Sequence, residues 1–224
     1  MHMPNSTPPR ARRTRRGVRT SGALVGAARR VFERDGYLEA RIVDIAAEAG
    51  VATGSFYTHF SGKEEVFEAV LAELQDEMLH PGAGAGAGGT GADGAEADAS
   101  ADPAALRRGV EAANRAYLES YRRNAALMAA LEQAAAVDRR FLAVRLRRSQ
   151  VFVERSARTV VRLQQAGLAD PALDPDVTAR AINAMVSRTA YMTFVAGDPV
   201  PFEELVRTLT RLWMNALGMP RAPE

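Results

Sequence analysis

The stretch Ile42–Lys63, IVDIAAEAGVATGSFYTHFSGK, decides how the rest of the chain is read. Ile42, Ile45, Ala46 and Ala49 recur at the three- and four-residue spacing of one helix face. Gly50 follows as a stop signal, because a helix commonly ends on a left-handed residue that glycine adopts without steric cost. Val51 then points back toward the core, and Thr53 is placed to cap a second short helix that turns Phe56 and Phe60 inward. Ala46 is small where the two helices should cross. Thr53, Ser55, Tyr57, Thr58 and His59 are left on the outward side. A short polar helix held by a tight glycine turn has the shape that enters a DNA major groove.

The flanks extend the pattern. A first helix ends in Val31-Phe32-Glu33-Arg34-Asp35-Gly36-Tyr37, followed by Asp44-Ile45-Ala46, Ala49-Gly50-Val51, Gly54-Ser55-Phe56-Tyr57-Thr58-His59-Phe60 and Lys63-Glu64-Glu65-Val66. Over roughly residues 20 to 75 this resembles the TetR family of bacterial transcriptional regulators. The resemblance implies that Tyr57 and His59 contact phosphates and that Lys63 does so from the start of the next helix. It implies that Thr53, Ser55 and Thr58, with Gly54 between them, approach base edges or sugar. It further implies a homodimer on a double-stranded operator, and a small molecule bound among the C-terminal helices. One departure stands out. Relatives often carry hydroxyl residues just before the second helix, where this chain has Ala40-Arg41, so Arg41 becomes the candidate phosphate contact at that place.

Length and composition bound the alternatives. A chain of 224 residues holds one large or two small domains and can bury a real core. There is no cysteine, which removes disulfides, thiolate metal sites and cysteine nucleophiles and fits a reducing cytoplasm. No apolar run is long enough for a membrane span, and the arginine-bearing N-terminus lacks the apolar core of a secretory signal. The net charge of +2 hides an uneven layout. Residues 1–20 carry Arg10, Arg12, Arg13, Arg15, Arg16 and Arg19 and no acid, whereas residues 21–80 carry five basic side chains against eleven acidic ones. The basic arm, Arg12, Arg13, Arg15 and Arg16 above all, must therefore supply much of the attraction to phosphate. The alternative is a solubilising tail.

Along the chain, residues 1–18 are expected to be a disordered basic arm, and residues 19–65 a helix-turn-helix domain whose first helix begins near Thr20 or Ser21. Ser61 and Glu64 have capping-box spacing, opening a connecting helix assigned to residues 66–80. Residues 81–102, PGAGAGAGGTGADGAEADASAD, form a low-complexity linker with seven of the eighteen glycines. Gly84, Gly86 and Gly89 match a G-x-G-x-x-G pattern, but no strand precedes them and no helix follows at once, so no nucleotide site is assigned. Residues 103–224 read as helices over about 103–123, 125–136, 138–166, 175–196 and 201–217. The expectation is an all-α protein of about nine helices, an N-terminal three-helix head on a C-terminal ligand-binding and dimerisation body.

Chemistry-bearing sets are sparse. The three histidines, His2, His59 and His80, form no metal-binding pattern, and neither a paired-carboxylate nor a serine-nucleophile motif occurs. No catalytic residue, metal or cofactor is therefore assigned. Arg139, Arg140, Arg145, Arg147 and Arg148 read as a solvated helix face. Tyr117, Tyr121, Met128, Phe152, Met185 and Tyr191 are core or the lining of an apolar pocket. Arg188 beside them either pairs with Glu132 or Glu154 or meets an anionic ligand group. Val186, Thr189, Leu209, Trp213 and Leu217 lie in two apolar stripes near the chain end, read as a dimer seam or as ordinary core. The leading expectation is a ligand-responsive repressor released from DNA by an apolar or amphipathic molecule. A helical carrier protein, a constitutive DNA binder and an activator are the alternatives.

Overall fold

A computed structural model describes residues 15–79 and 103–219. Among them are nine helices and no strand: α1 Arg15–Glu39, α2 Ile42–Glu48, α3 Thr53–Phe56, α4 Lys63–Leu79, α5 Pro103–Arg123, α6 Ala125–Val137, α7 Arg139–Gln165, α8 Pro175–Phe194 and α9 Phe202–Ala216. The all-α expectation and the positions of the five body helices agree with this arrangement. The linker 81–102, Arg12, Arg13, His2 and His80 lie outside the described residues.

Several boundaries differ from expectation. The first helix begins at Arg15, inside the segment read as a disordered arm. Arginine is nearly as good a helix former as alanine, and the single Gly17 costs only about 1 kcal/mol, so the helix continues outward past Thr20. Arg15 and Arg16 are thus helical residues. The connecting helix starts at Lys63, so a boundary at 65/66 would cut its first turn. Ser61 is held by Glu65 rather than Glu64: one Glu65 oxygen accepts both the Ser61 N–H (2.6 Å) and its hydroxyl (2.8 Å). Asp138 and Asp174 cap α7 and α8 by accepting backbone N–H bonds at 2.8 Å, satisfying donors that a helix start leaves open.

The head is not hinged separately from the body. Leu24, Val25, Ala28, Val31 and Phe32 lie on one buried face of α1, which packs against both α4 and α6. Phe32, Tyr37, Phe67 and Phe141 bring α1, α4 and α7 together, with ring centroids 4.6 Å apart for Phe32–Phe67 and 5.1 Å for Tyr37–Phe141. Ile45 and Phe56 of the reader helices belong to the same buried cluster as Leu118, Leu131 and Val186 of the body. A second cluster, including Val110, Val160, Ile182, Trp213 and Leu217, closes the far end across α5, α7, α8 and α9.

That packing corrects the proposed seam. Val186, Leu209, Trp213 and Leu217 are buried within the single chain, so they are core; Thr189 is partly exposed, its hydroxyl donating to the Met185 carbonyl at 2.8 Å. On the same two helices, Val177 and Leu212 are the large apolar side chains left facing outward. No described helix is long and apolar enough to cross a membrane.

Candidate nucleic-acid interface and body cavity

Gly50 takes φ +68°, the left-handed conformation expected of it, and the turn closes through Val51 N–H on the Ala46 carbonyl at 3.0 Å. Ala46 is buried at the crossing and Phe56 is fully buried beneath the second helix. That helix does not reach Phe60 as the inward placing of Phe56 and Phe60 suggested. Regular α3 ends at Phe56, and residues 57–60 continue as tight turns, with His59 N–H and Phe60 N–H both on the Phe56 carbonyl. Thr53 is the first helical residue, not the cap; Ala52 holds that place without a side-chain bond.

The outward surface is polar. Thr53, Gly54 and Thr58 are exposed, Ser55 and His59 half-buried, and Tyr57 is 57% exposed with its ring edge on Phe56. Thr58 Oγ1 donates to the Ser55 carbonyl at 2.7 Å, which leaves its lone pairs outward. Lys63 Nζ donates to the Tyr37 and Leu38 carbonyls at 2.8 and 3.2 Å and lies 4.7 Å from the Tyr37 ring centroid. An ammonium has three donors, so one remains for a phosphate.

Arginines of the described head are largely spent on its own carboxylates. Arg41 grips Asp44 through two bonds, at 2.7 and 3.1 Å, while staying exposed. Arg30 pairs with Glu48 and Arg34 with Asp35. Arg29 pairs with Glu33 and Glu77 and also donates to Asn124 Oδ1 at 2.6 Å, tying α1 to α4 and to the α5–α6 corner. The pairing holds the Asp35 carboxyl below its ordinary range, Arg34 being the main cause.

Behind the head is a cavity of about 660 Å³, walled by α4, α5, α6, α7 and α8. Tyr117, Tyr121, Met128, Phe152, Arg188 and Tyr191 all line it. Met185 does not; it packs against the main core instead. Burial pushes the Tyr117 and Tyr121 phenols above their ordinary range, so both are neutral donors at neutral pH. Arg188 pairs with neither Glu132 nor Glu154. Glu132 holds Arg145 at 2.7 Å, Glu154 accepts from Gln150, and the Arg188 guanidinium stacks over the Tyr191 ring at 5.0 Å. Arg148, which the sequence places on a solvated face, also lines the cavity. The signal that could have placed it is that Phe141, Arg148 and Phe152 share one stripe of α7 at helical spacing.

A short polar helix presented after a tight glycine turn, on an α-helical body with a cavity among its helices, defines a helix-turn-helix DNA-binding regulator with a ligand-binding C-terminal domain. The sequence profile of the bacterial regulatory proteins of the tetR family matches residues 24–70, and that of the C-terminal domain of the transcriptional regulator EthR matches residues 110–218. The HTH-type transcriptional regulator EthR of Mycolicibacterium smegmatis is 29% identical, covering 96% of each chain. Among solved structures, a transcriptional regulator from Rhodococcus sp. superposes with a TM-score of 0.68 at 24% identity, over 91% of this chain and 99% of that one. SmeT, the repressor of the Stenotrophomonas maltophilia multidrug efflux pump SmeDEF, gives 0.66 at 17% identity, over 88% and 89%. The chain belongs to the TetR family of bacterial transcriptional regulators.

Proposed function

We propose that the protein is a homodimeric repressor that leaves its operator when an apolar or amphipathic small molecule fills the cavity. The observation that carries this reading is that one helix serves both ends. Met78 near the end of α4 lines the cavity, and Lys63 at its start follows directly on the reading turn. A ligand that prefers one placement of α4 then prefers one placement of the head, and only that preference can shift DNA affinity. In the DNA complex, Tyr57, His59, Lys63 and Arg41 contact phosphates, while Thr53, Gly54, Ser55 and Thr58 face the groove. SmeT, a structural neighbour, is a repressor by its description.

The experiment is a screen of hydrophobic compounds by thermal shift, followed by operator release with each hit. The operator comes from binding-site selection on the full chain. Compounds that raise the melting temperature and release DNA support the proposal. Stabilisation with unchanged operator affinity rejects ligand gating and favours a constitutive binder or an activator. The self-paired head arginines favour a second reading, a small-molecule binding protein with weak DNA reading; failure of selection to enrich any sequence would support it.

A further inference from the structure

The cavity wall holds four arginines, Arg145, Arg148, Arg180 and Arg188, against one carboxylate, Glu132, and that carboxylate is already taken by Arg145. Arg148 differs from the other three in its burial. It is mostly buried and makes no ion pair among the described residues; its Nη1 donates to the Leu71 carbonyl at 2.6 Å and its Nη2 to the Met78 sulfur at 3.5 Å. Both acceptors belong to α4, so a cation on α7 is fastened across the cavity wall to the helix that carries the head. Both are also neutral. A carbonyl and a thioether are poor company for a guanidinium compared with a carboxylate, which offers shorter and stronger charge-assisted bonds.

We infer that Arg148 is the recognition point for the anionic head of an amphiphilic ligand whose apolar tail lies among Tyr117, Met128 and Phe152, and that its bond to the Leu71 carbonyl is the contact such a ligand breaks. The inference rests on the cavity being the effector site. Burial lowers Arg148 to about 10, which leaves it charged at neutral pH yet under-solvated. An arriving anion relieves that cost. Arg148 then exchanges a neutral acceptor on α4 for the ligand, and α4 loses this polar tie to α7 one turn before Gln75, whose buried Oε1 has no partner. A ligand without the anion fills the same space and leaves the tie in place.

The test uses the full chain, the selected operator, and lauric acid, methyl laurate and dodecyltrimethylammonium as probes. Affinity is read by calorimetry and release by DNA-binding titration. Laurate is expected to bind at least about tenfold more tightly than its ester, within what a charge-assisted hydrogen bond supports, and to release operator where the ester does not. The cationic probe should bind most weakly. Arg148→Met should bring laurate affinity down to that of the ester and abolish laurate-driven release. Equal binding and equal release by acid and ester would overturn the role of Arg148 while leaving ligand gating intact. So would laurate-driven release that survives in Arg148→Met. If the probes bind but none releases DNA, ligand gating fails, and the acid-to-ester ratio still judges the anion site. If none binds, both fall together. Should Arg148→Met fail to fold, the comparison of acid with ester on the unaltered chain decides.

Discussion

Gln133 Oε1 in α6 accepts the backbone N–H of Tyr37 at 3.0 Å, across the point where α1 breaks. The carbonyl of the same Tyr37 accepts from Lys63 at the start of α4. One residue of the head is therefore held from the body on one side and from the connecting helix on the other. Gln133 also directly follows Leu131 and Glu132, which line the cavity. The reading head is fastened to the cavity wall by two routes, α6 through Gln133 and α4 through its own length.

Gly36 makes the Gln133 contact possible. It sits at φ +73°, ψ −179°, a region that essentially only glycine occupies, and a Cβ there would lie 2.6 Å from Gln133 Oε1. Gly36→Ala should cost about 2–3 kcal/mol, from backbone strain plus the displaced bond, and lower the melting temperature by roughly 5–10 °C. Gln133→Ala alone should cost about 1–3 kcal/mol, since it leaves the part-buried Tyr37 N–H without its acceptor. The double variant should be no worse than Gly36→Ala, because the two lesions remove one shared contact. Strictly additive melting losses would separate the two sites and sink the coupling.

Lys63 has a structural duty and a proposed binding one, and the two can be told apart. Lys63→Met removes the donor from two carbonyls at the end of α1, which should cost about 1 kcal/mol in denaturant melts. It also removes the proposed phosphate contact, so operator affinity should fall for all sequences alike and the salt slope should flatten by about one. Tyr57→Phe should weaken binding without changing the preferred sequence. A Lys63→Met protein that loses stability while keeping affinity and slope would assign the residue to structure alone.

Because α1 begins at Arg15, the arm can be trimmed without touching a described helix. Deleting residues 1–14 takes away Arg10, Arg12 and Arg13 and leaves a head whose Arg30, Arg34 and Arg41 are paired with its own acids. Affinity at low salt should drop by at least tenfold, the loss should shrink as salt rises, and the melting temperature should hold. Equal affinity of trimmed and full chains at low salt would rule out the arm as a DNA contact.

What the sequence displayed and what it concealed divide along physical lines. Gly50, Ala46, Phe56 and the body helices were legible because local spacing and turn chemistry decide them. Tyr117, Tyr121, Met128 and Phe152 were legible as a group because aromatic and methionine residues at helical spacing mark an inner face. Arg148 was hidden by its neighbours: five arginines in ten residues look like a solvated face unless each is placed against Phe141 and Phe152. Gln133 and Lys63 were concealed more deeply. Their bonds to Tyr37 span 96 and 26 residues, and no local pattern encodes a pairing at that separation. The apolar stripes of α8 and α9 misled for a related reason, since periodicity marks a buried face without saying whether the same chain or a second copy buries it.

The seam of the proposed dimer can be tested by opposing two neighbouring residues of α9. Trp213 is nearly buried in the far core of its own chain, while Leu212 beside it is 44% exposed, as is Val177 at the start of α8 to a greater degree. Trp213→Ala should therefore cost about 3–5 kcal/mol of stability, as cavity-forming core truncations do, and any loss of dimer should follow from loss of fold. Leu212→Glu should do the reverse. It places a charge on the outward face that α8 and α9 share, so the chain should stay folded by circular dichroism yet sediment as a monomer at concentrations where the unaltered protein is dimeric. Operator affinity should fall with it, because a single head reads one half-site only. A Leu212→Glu protein that remains dimeric would move the seam off this face of α9, and an unaltered protein that sediments as a monomer at micromolar concentration would remove the dimer itself.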